Sequence, residues 1–123
     1  MSSSSESQRS SAEAIDRLRA VLNVLRSCDS EMSCTAASFF IDVAAAGKVR
    51  MVDLRHKYDL ADASISRNVA YLGKTAISRS ERGGRFGLGL VEVSEDDQDR
   101  RVKVVRLTSK GRALRDSLEK ALA

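Results

Sequence analysis

Two β-rich runs stand in a chain whose other segments mostly follow the periodicity of helices. The runs are Leu90–Val93 and Val102–Leu107, and a polar, largely charged segment, residues 94–101, separates them. Valine dominates both runs, and β-branched residues favour strands. The pattern predicts a β-hairpin with a long charged tip. We therefore expect a mainly α fold with a small β-hairpin.

Five segments carry the apolar spacing of amphipathic helices. The first covers residues 12–27, and the last covers residues 109–122 after Thr108 as its N-cap. Between them we expect a helix from a cap at Thr35 to Gly47, a short helix over residues 50–57, and a fourth from residue 61 or 62 to Leu72. The apolar residues at helical spacing are Ile15, Leu18, Leu22, Leu25, Phe39, Phe40, Val43, Leu54, Ile65, Val69, Leu72, Leu114, Leu118 and Leu122.

The order helix, helix, helix, helix, hairpin and helix is that of a winged helix-turn-helix with an added helix at each end. The 123 residues fit one domain. Residues 1–11 are mostly serine and lack apolar periodicity, so we expect a disordered tail there. The domain then spans residues 12–123, with a helix-turn-helix core at 35–72 and a wing at 89–107.

The outer face of the fourth helix is short, polar and cationic. Two helices joined by a tight turn, the second with such a face, form the arrangement that enters a DNA major groove. Arg67 can pair with guanine, and the hydroxyls and the Asn68 amide can reach phosphates or base edges. An ordinary solvated helix face is the alternative interpretation. The face comprises Ala63, Ser64, Ser66, Arg67, Asn68 and Tyr71.

Composition narrows the class of protein. The net charge of +4 favours a polyanionic partner. No apolar run approaches the roughly 20 residues of a membrane-spanning helix, and the N-terminus does not resemble a signal peptide, so we expect a cytoplasmic protein. Cys28 and Cys34 lack zinc-ligand company because His56 is the only histidine. No catalytic triad or phosphate-binding loop is present, so we expect neither an enzyme nor a cofactor or metal.

Three segments carry a resemblance to the MarR family of bacterial regulators. Residues 96–114 (DDQDRRVKVVRLTSKGRAL) resemble the family's wing and following helix. Residues 54–72, including Ser64-Ile65-Ser66-Arg67, resemble its recognition region, and Gly89-Leu90-Val91 resembles its first wing strand. The resemblance implies a repressor that binds double-stranded DNA as a homodimer, joined by helices 12–27 and 109–122. Such a dimer would prefer palindromic operators.

The same resemblance assigns a role to the tip of the wing. Asp99 and Arg101 would form the family's wing-tip pair, in which the carboxylate orients a guanidinium toward the minor groove; Arg100 stands beside them. A narrow minor groove concentrates negative potential and attracts an arginine. The acidic neighbours at residues 95–97 must then point away from phosphate. A solvated hairpin tip with local ion pairs is the alternative.

The sequence departs from the family pattern at three places. The long final helix of the usual dimerisation region has no counterpart before Ala123. Residues 73–86 form an insertion between recognition helix and wing, which is either a flexible loop or a source of phosphate contacts from Arg79, Arg82 and Arg85. Ala61 stands where a serine or threonine often caps the recognition helix, so Asp59 or Asp62 would take that role.

Other functions stay open at this point. A winged helix that has lost DNA binding would serve as a protein-interaction module, for example an antagonist of another regulator. A phage or plasmid replication or partition factor is a further alternative. The resemblance also allows a small-molecule effector, and Cys28 and Cys34 are either structural thiols or sensors of oxidants.

Overall fold

The computed structural model describes residues 2–76 and 85–123. The chain divides into two compact units: residues 33–113 form one, and residues up to 32 together with those from 114 onward form the other. No helix within the described ranges is both long and apolar enough to cross a bilayer. The elements are α1 (Ser2–Cys28), α2 (Cys34–Ala46), β1 (Lys48–Arg50), α3 (Met51–Tyr58), α4 (Asp62–Leu72), β2 (Thr75–Ala76), β3 (Arg85–Phe86), β4 (Val91–Glu95), β5 (Lys103–Leu107) and α5 (Ser109–Leu122).

Helix α1 and most of α5 form the unit that joins the two ends of the chain. Its apolar residues fall into two groups that differ in exposure. Leu25, Leu114 and Leu118 are buried, whereas Ile15, Leu18, Leu22 and Leu122 are each more than half exposed. The predicted apolar stripe of α1 is therefore only partly covered within this chain.

Helix α1 begins at Ser2 and not at Ala12, which corrects the prediction of a disordered tail over residues 1–11. Serine is only a moderate helix former, and this segment has no apolar anchor. Extending an existing helix is nevertheless cheaper than nucleating one, because each further residue adds a hydrogen bond without a new nucleus. The apolar stripe from Ile15 onward provides that nucleus.

The unit of residues 33–113 starts with α2. Its N-cap is Ser33 and not Thr35, because the Ser33 hydroxyl accepts a hydrogen bond from the backbone N–H of Ala36 at 3.1 Å. Gly47 ends the helix as predicted, with a φ of 85°, a region that glycine enters without a Cβ clash. Helix α3 ends at Asp59, whose φ of 49° makes the turn that leads into α4.

The sheet has a strand that the sequence did not predict. Strand β1 covers Lys48–Arg50, where we expected a loop followed by the start of α3 at residue 50. The strand order is β1-β5-β4, and both pairs are antiparallel. Val105 at the centre lies opposite Val49 on one side and Val93 on the other. Strands β4 and β5 confirm the predicted hairpin and give the wing.

Helices α2, α3 and α4 pack with this sheet around one core. The core contains the predicted inner faces of α2 and α4 together with the start of β4 and most of β5. Its buried residues are Ala36, Phe39, Phe40, Val43, Leu54, Ile65, Val69, Leu72, Leu90, Val91, Val104, Val105 and Leu107. Because α4 and the wing share this core, their relative placement is fixed by packing.

The chain returns from the insertion directly against the end of α4. Strands β2 and β3 pair with each other at the base of the insertion. Residues 87–90 then donate four backbone hydrogen bonds, of 2.7–2.9 Å, to the carbonyls of residues 71–74. These bonds satisfy carbonyl groups that a helix end otherwise leaves without partners. Residues 87–90, which follow the insertion, therefore fit closely against the C-terminal end of the recognition helix.

Candidate nucleic-acid interface

Helix α4 buries one face and exposes another, as its apolar spacing predicts. Ile65, Val69 and Leu72 are buried in the core. Ala63, Ser66 and Arg67 are exposed. Among the described residues, no side chain forms an ion pair or a hydrogen bond with the Arg67 guanidinium. Its five N–H donors are thus available to a ligand.

Three of the predicted interface residues on α4 are less accessible. Ser64, Asn68 and Tyr71 are only half exposed. The Asn68 side-chain N–H donates to the backbone carbonyl of Ser64 at 2.8 Å. This bond uses one of the two amide hydrogens that we expected to face phosphates or bases, whereas the Asn68 side-chain oxygen makes no hydrogen bond to a described residue. Asn68 therefore keeps one N–H donor and its side-chain oxygen for a ligand.

The N-terminus of α4 has no side-chain cap. Ala61 occupies the cap position, and its carbonyl accepts from the N–H groups of Ser64 and Ile65. Neither Asp59 nor Asp62 takes the capping role that we predicted. Asp59 instead ends α3, and Asp62 accepts a hydrogen bond of 2.9 Å from the Arg55 guanidinium. As the first residue of α4, Asp62 still places a negative charge at the positive end of the helix dipole.

The wing tip holds the predicted pair of Asp99 and Arg101. The Asp99 carboxylate accepts three hydrogen bonds of 3.0–3.2 Å from Arg101: one from the backbone N–H and two from the guanidinium. These bonds hold the pKa of Asp99 below its ordinary value, because they favour the charged carboxylate. The Arg101 side chain is nevertheless 90% exposed. Asp99 therefore orients the Arg101 guanidinium, and the side chain stays accessible to a ligand.

The acidic neighbours of this pair differ among themselves. Asp96 is half-buried and lies 3.9 Å from the ammonium of Lys48 on β1. Glu95 and Asp97 are exposed, and so is Arg100. Part of the acidic charge at the tip is therefore compensated within the protein.

Helix α4 and the wing tip line the same groove. This groove, which we call the tip groove, has a volume of about 490 Å³ and is lined by residues of α3, of α4 and of the segment that leads into β5. Ser66 of α4 and Arg101 of the wing both line it. The full lining is Met51, Val52, Arg55, Asp62, Ile65, Ser66, Arg101, Val102 and Lys103. The recognition helix and the wing thus face one common space.

A second groove, the base groove, continues along α4 toward its C-terminus. Its volume is about 510 Å³, and it lies between α4 and β4. Ser66 and Met51 line both grooves. Lys74 is exposed at the far end of the base groove and, like Arg67, has no partner among the described residues. The two grooves together follow one side of α4, from Asp62 in its first turn to Gly73 at its C-cap. Of the predicted face of α4, Ser66 lines them, whereas Ala63, Ser64, Arg67, Asn68 and Tyr71 do not.

The insertion arginines are placed only in part. Arg79 and Arg82 lie outside the described residues. Arg85 belongs to β3, which pairs with β2 beside the end of α4. Contacts from these arginines to phosphate stay a prediction from the sequence.

Sequence reasoning missed three cations that line the grooves, namely Arg55, Lys74 and Lys103. The signal for Lys103 was present, because it alternates with the buried Val104 in a predicted strand. Arg55 follows the buried Leu54 on a helix of only eight residues, which has too few turns to define its faces. Lys74 lies just beyond the end of α4, where helical periodicity no longer predicts which way a side chain points.

No protein-family model matches the sequence, and no curated protein matches it. Solved structures do match. A mutant of E. coli MarR complexed with operator DNA is 15% identical, covers 95% of this chain and 73% of its own, and has a TM-score of 0.60. A transcriptional regulator from Thermotoga maritima is 16% identical, with 99% and 74% covered and a TM-score of 0.66. Bordetella bronchiseptica BpsR, whose DNA binding is regulated by 6-hydroxynicotinic acid, is 20% identical, with 85% and 67% covered and a TM-score of 0.55. The chain therefore has the winged helix-turn-helix fold of the MarR-type transcriptional regulators.

Proposed function

We propose that this protein is a sequence-specific double-stranded DNA-binding transcriptional regulator that acts as a homodimeric repressor. The observation that carries the proposal is the tip groove, where Ser66 of the recognition helix and Arg101 of the wing line one space. A duplex presents its major and minor grooves side by side, and a helix and a hairpin with a common face can enter both. The similar fold of MarR with operator DNA supports the same arrangement.

In this proposal α4 reads the major groove. Arg67 is exposed and has no protein partner within the described ranges, so no internal bond must break before it pairs with guanine. Ala63 and Ser66 are short enough to permit close approach of the helix to the bases. Ser64, Asn68 and Tyr71 border this surface and have a smaller role because they are half-buried.

The wing contributes affinity more than sequence preference. Arg101 would enter the minor groove, where it responds to groove width and negative potential. Asp99 orients it through the hydrogen bonds described above. Arg100, which is exposed beside them, adds a second positive charge near the phosphates.

A second copy of this chain is the expected partner of the unit formed by α1 and α5. Ile15, Leu18, Leu22 and Leu122 expose apolar surface that a soluble protein normally covers. Two-fold symmetry would place two recognition helices on half-sites about one helical turn apart, which gives a palindromic operator. Regulation of BpsR by 6-hydroxynicotinic acid supports a small-molecule effector as part of the proposal.

The test begins with selection of binding sequences from random duplex DNA at a stated salt concentration. Fluorescence anisotropy then compares the selected site with a scrambled duplex. Arg67→Ala should reduce the discrimination between them by about 1–3 kcal/mol, roughly 5- to 150-fold. Arg101→Ala should weaken binding to both duplexes by a similar factor and lower the salt slope by about 1.

Lys57→Ala is the matched control, because Lys57 is also exposed but pairs with Asp42 and lines neither groove. Sedimentation of the protein alone should give twice the mass of one chain. A protein that binds no duplex in a salt-dependent manner would refute DNA binding, and a monomer at micromolar concentration would refute the homodimer.

A further inference from the structure

We infer that Arg55 of α3 binds a phosphate of the DNA backbone and that Asp62 of α4 positions it. This inference rests on the proposed function and adds a third element, α3, to the interface formed by α4 and the wing. The sequence analysis predicted no role for Arg55 and a helix-capping role for Asp62.

Arg55 lines the tip groove together with Arg101 and Lys103 of the wing. Its guanidinium donates one hydrogen bond of 2.9 Å to Asp62, which leaves four N–H donors without a bond to any described residue. Lys103 lines the same groove from the start of β5 and has no ionic partner in the described ranges. Arg55 and Lys103 are therefore two donors on different walls of one groove.

The charges of the groove favour a phosphodiester as the occupant. Arg55, Arg101 and Lys103 are its cations, and Asp62 is its one lining carboxylate. The remaining lining is apolar apart from Ser66, so few other side chains of the groove compete for hydrogen bonds with the ligand. A DNA strand carries one negative charge per nucleotide, which suits donors spread along a groove better than one strong binding point.

Asp62 is suited to hold Arg55 because α4 fixes its backbone position, and its carboxylate is 76% exposed beside the guanidinium. It is the first residue of α4, where the Ala61 carbonyl accepts from the N–H groups of Ser64 and Ile65. Its side chain is short, whereas that of arginine has several free rotations that a phosphate contact must otherwise immobilise. The bond between α3 and α4 therefore orients the guanidinium before DNA arrives.

The experiment measures DNA affinity and its salt slope for the full chain. Arg55→Ala should weaken binding roughly three- to tenfold on selected and scrambled duplexes alike, and should lower the salt slope by about 1. Arg55→Lys should restore most of the slope, because it restores the charge. Lys57→Ala, two residues away on the same helix, should leave the slope unchanged. Thermal unfolding of each variant separates these effects from loss of the fold.

A double-mutant cycle tests the role of Asp62. Asp62→Ala should weaken binding about threefold in the parent chain and have no effect in the Arg55→Ala background, because it acts through Arg55. Stronger binding in both backgrounds would show simple charge repulsion and overturn the positioning role. An Arg55→Ala variant that matches Lys57→Ala, while the parent still binds DNA, overturns the phosphate contact alone. A parent chain without salt-dependent binding overturns the proposed function and this inference together.

Discussion

Replacement of Gly87 by alanine tests how the insertion is joined to the recognition helix. A Cβ at this position would lie 2.2 Å from the Gly73 carbonyl oxygen, 2.8 Å from that of Ala70 and 2.9 Å from that of Tyr71. All three atoms are backbone, so no side-chain rotation can relieve the overlap. The chain must move away from the end of α4.

That movement breaks backbone hydrogen bonds, and their number limits how much stability can be lost. The segment that begins at Gly87 donates four backbone bonds to residues 71–74. Each is worth about 1 kcal/mol net, which sets an upper limit of about 4 kcal/mol if all are lost. Partial relaxation preserves some of them, while overpacking alone costs about 1–3 kcal/mol. We expect Gly87→Ala to lower the free energy of unfolding by about 2–4 kcal/mol and the melting temperature by roughly 10 °C.

Chemical denaturation followed by circular dichroism measures this change, and Gly47→Ala is the matched control. Gly47 has a φ of 85° but no atom within 4 Å of an added Cβ, so only backbone strain of about 1 kcal/mol is expected there. If Gly87→Ala were as stable as the parent, or no less stable than Gly47→Ala, the close fit between the insertion and α4 would be refuted.

Three further predictions concern single contacts. Ser33→Ala should lower the free energy of unfolding by about 1 kcal/mol, because it removes the α2 cap, whereas Thr35→Ala should change it less. Burial and a hydrogen bond to Asp42 raise the pKa of Tyr58 to about 12. The stability that this bond provides is therefore complete below pH 10 and is lost as the pH rises through about 12, so Tyr58→Phe should flatten the alkaline unfolding profile in that window. Asp99→Asn should weaken DNA binding about as much on a scrambled duplex as on the selected site, because it frees Arg101 without changing base contacts; a loss confined to the selected site would contradict that role.

Periodicity accounts for what was predictable about the fold. The apolar spacing of Ile65, Val69 and Leu72 fixed both the extent and the buried face of α4, because a helix repeats every 3.6 residues whatever it packs against. The two β-rich runs likewise gave the wing, and Asp99 and Arg101 are close enough in sequence to pair locally. These features depend on residues that are close together along the chain, so they can be predicted from the local sequence.

Strand β1 and the lining of the tip groove depend on residues distant in sequence. Lys48–Arg50 is too short to show alternation, and it is a strand because it pairs with β5, more than fifty residues later. Arg55, Ser66 and Lys103 come from three elements, and only the packing of α3, α4 and the sheet around one core brings them to one groove.

The sequence alone thus determined the helices of the core and the two wing strands, together with the buried faces of α2 and α4, since local spacing encodes them. Tertiary structure decided which exposed side chains meet, because the distance between residues on different elements is set by core packing and not by their separation along the chain.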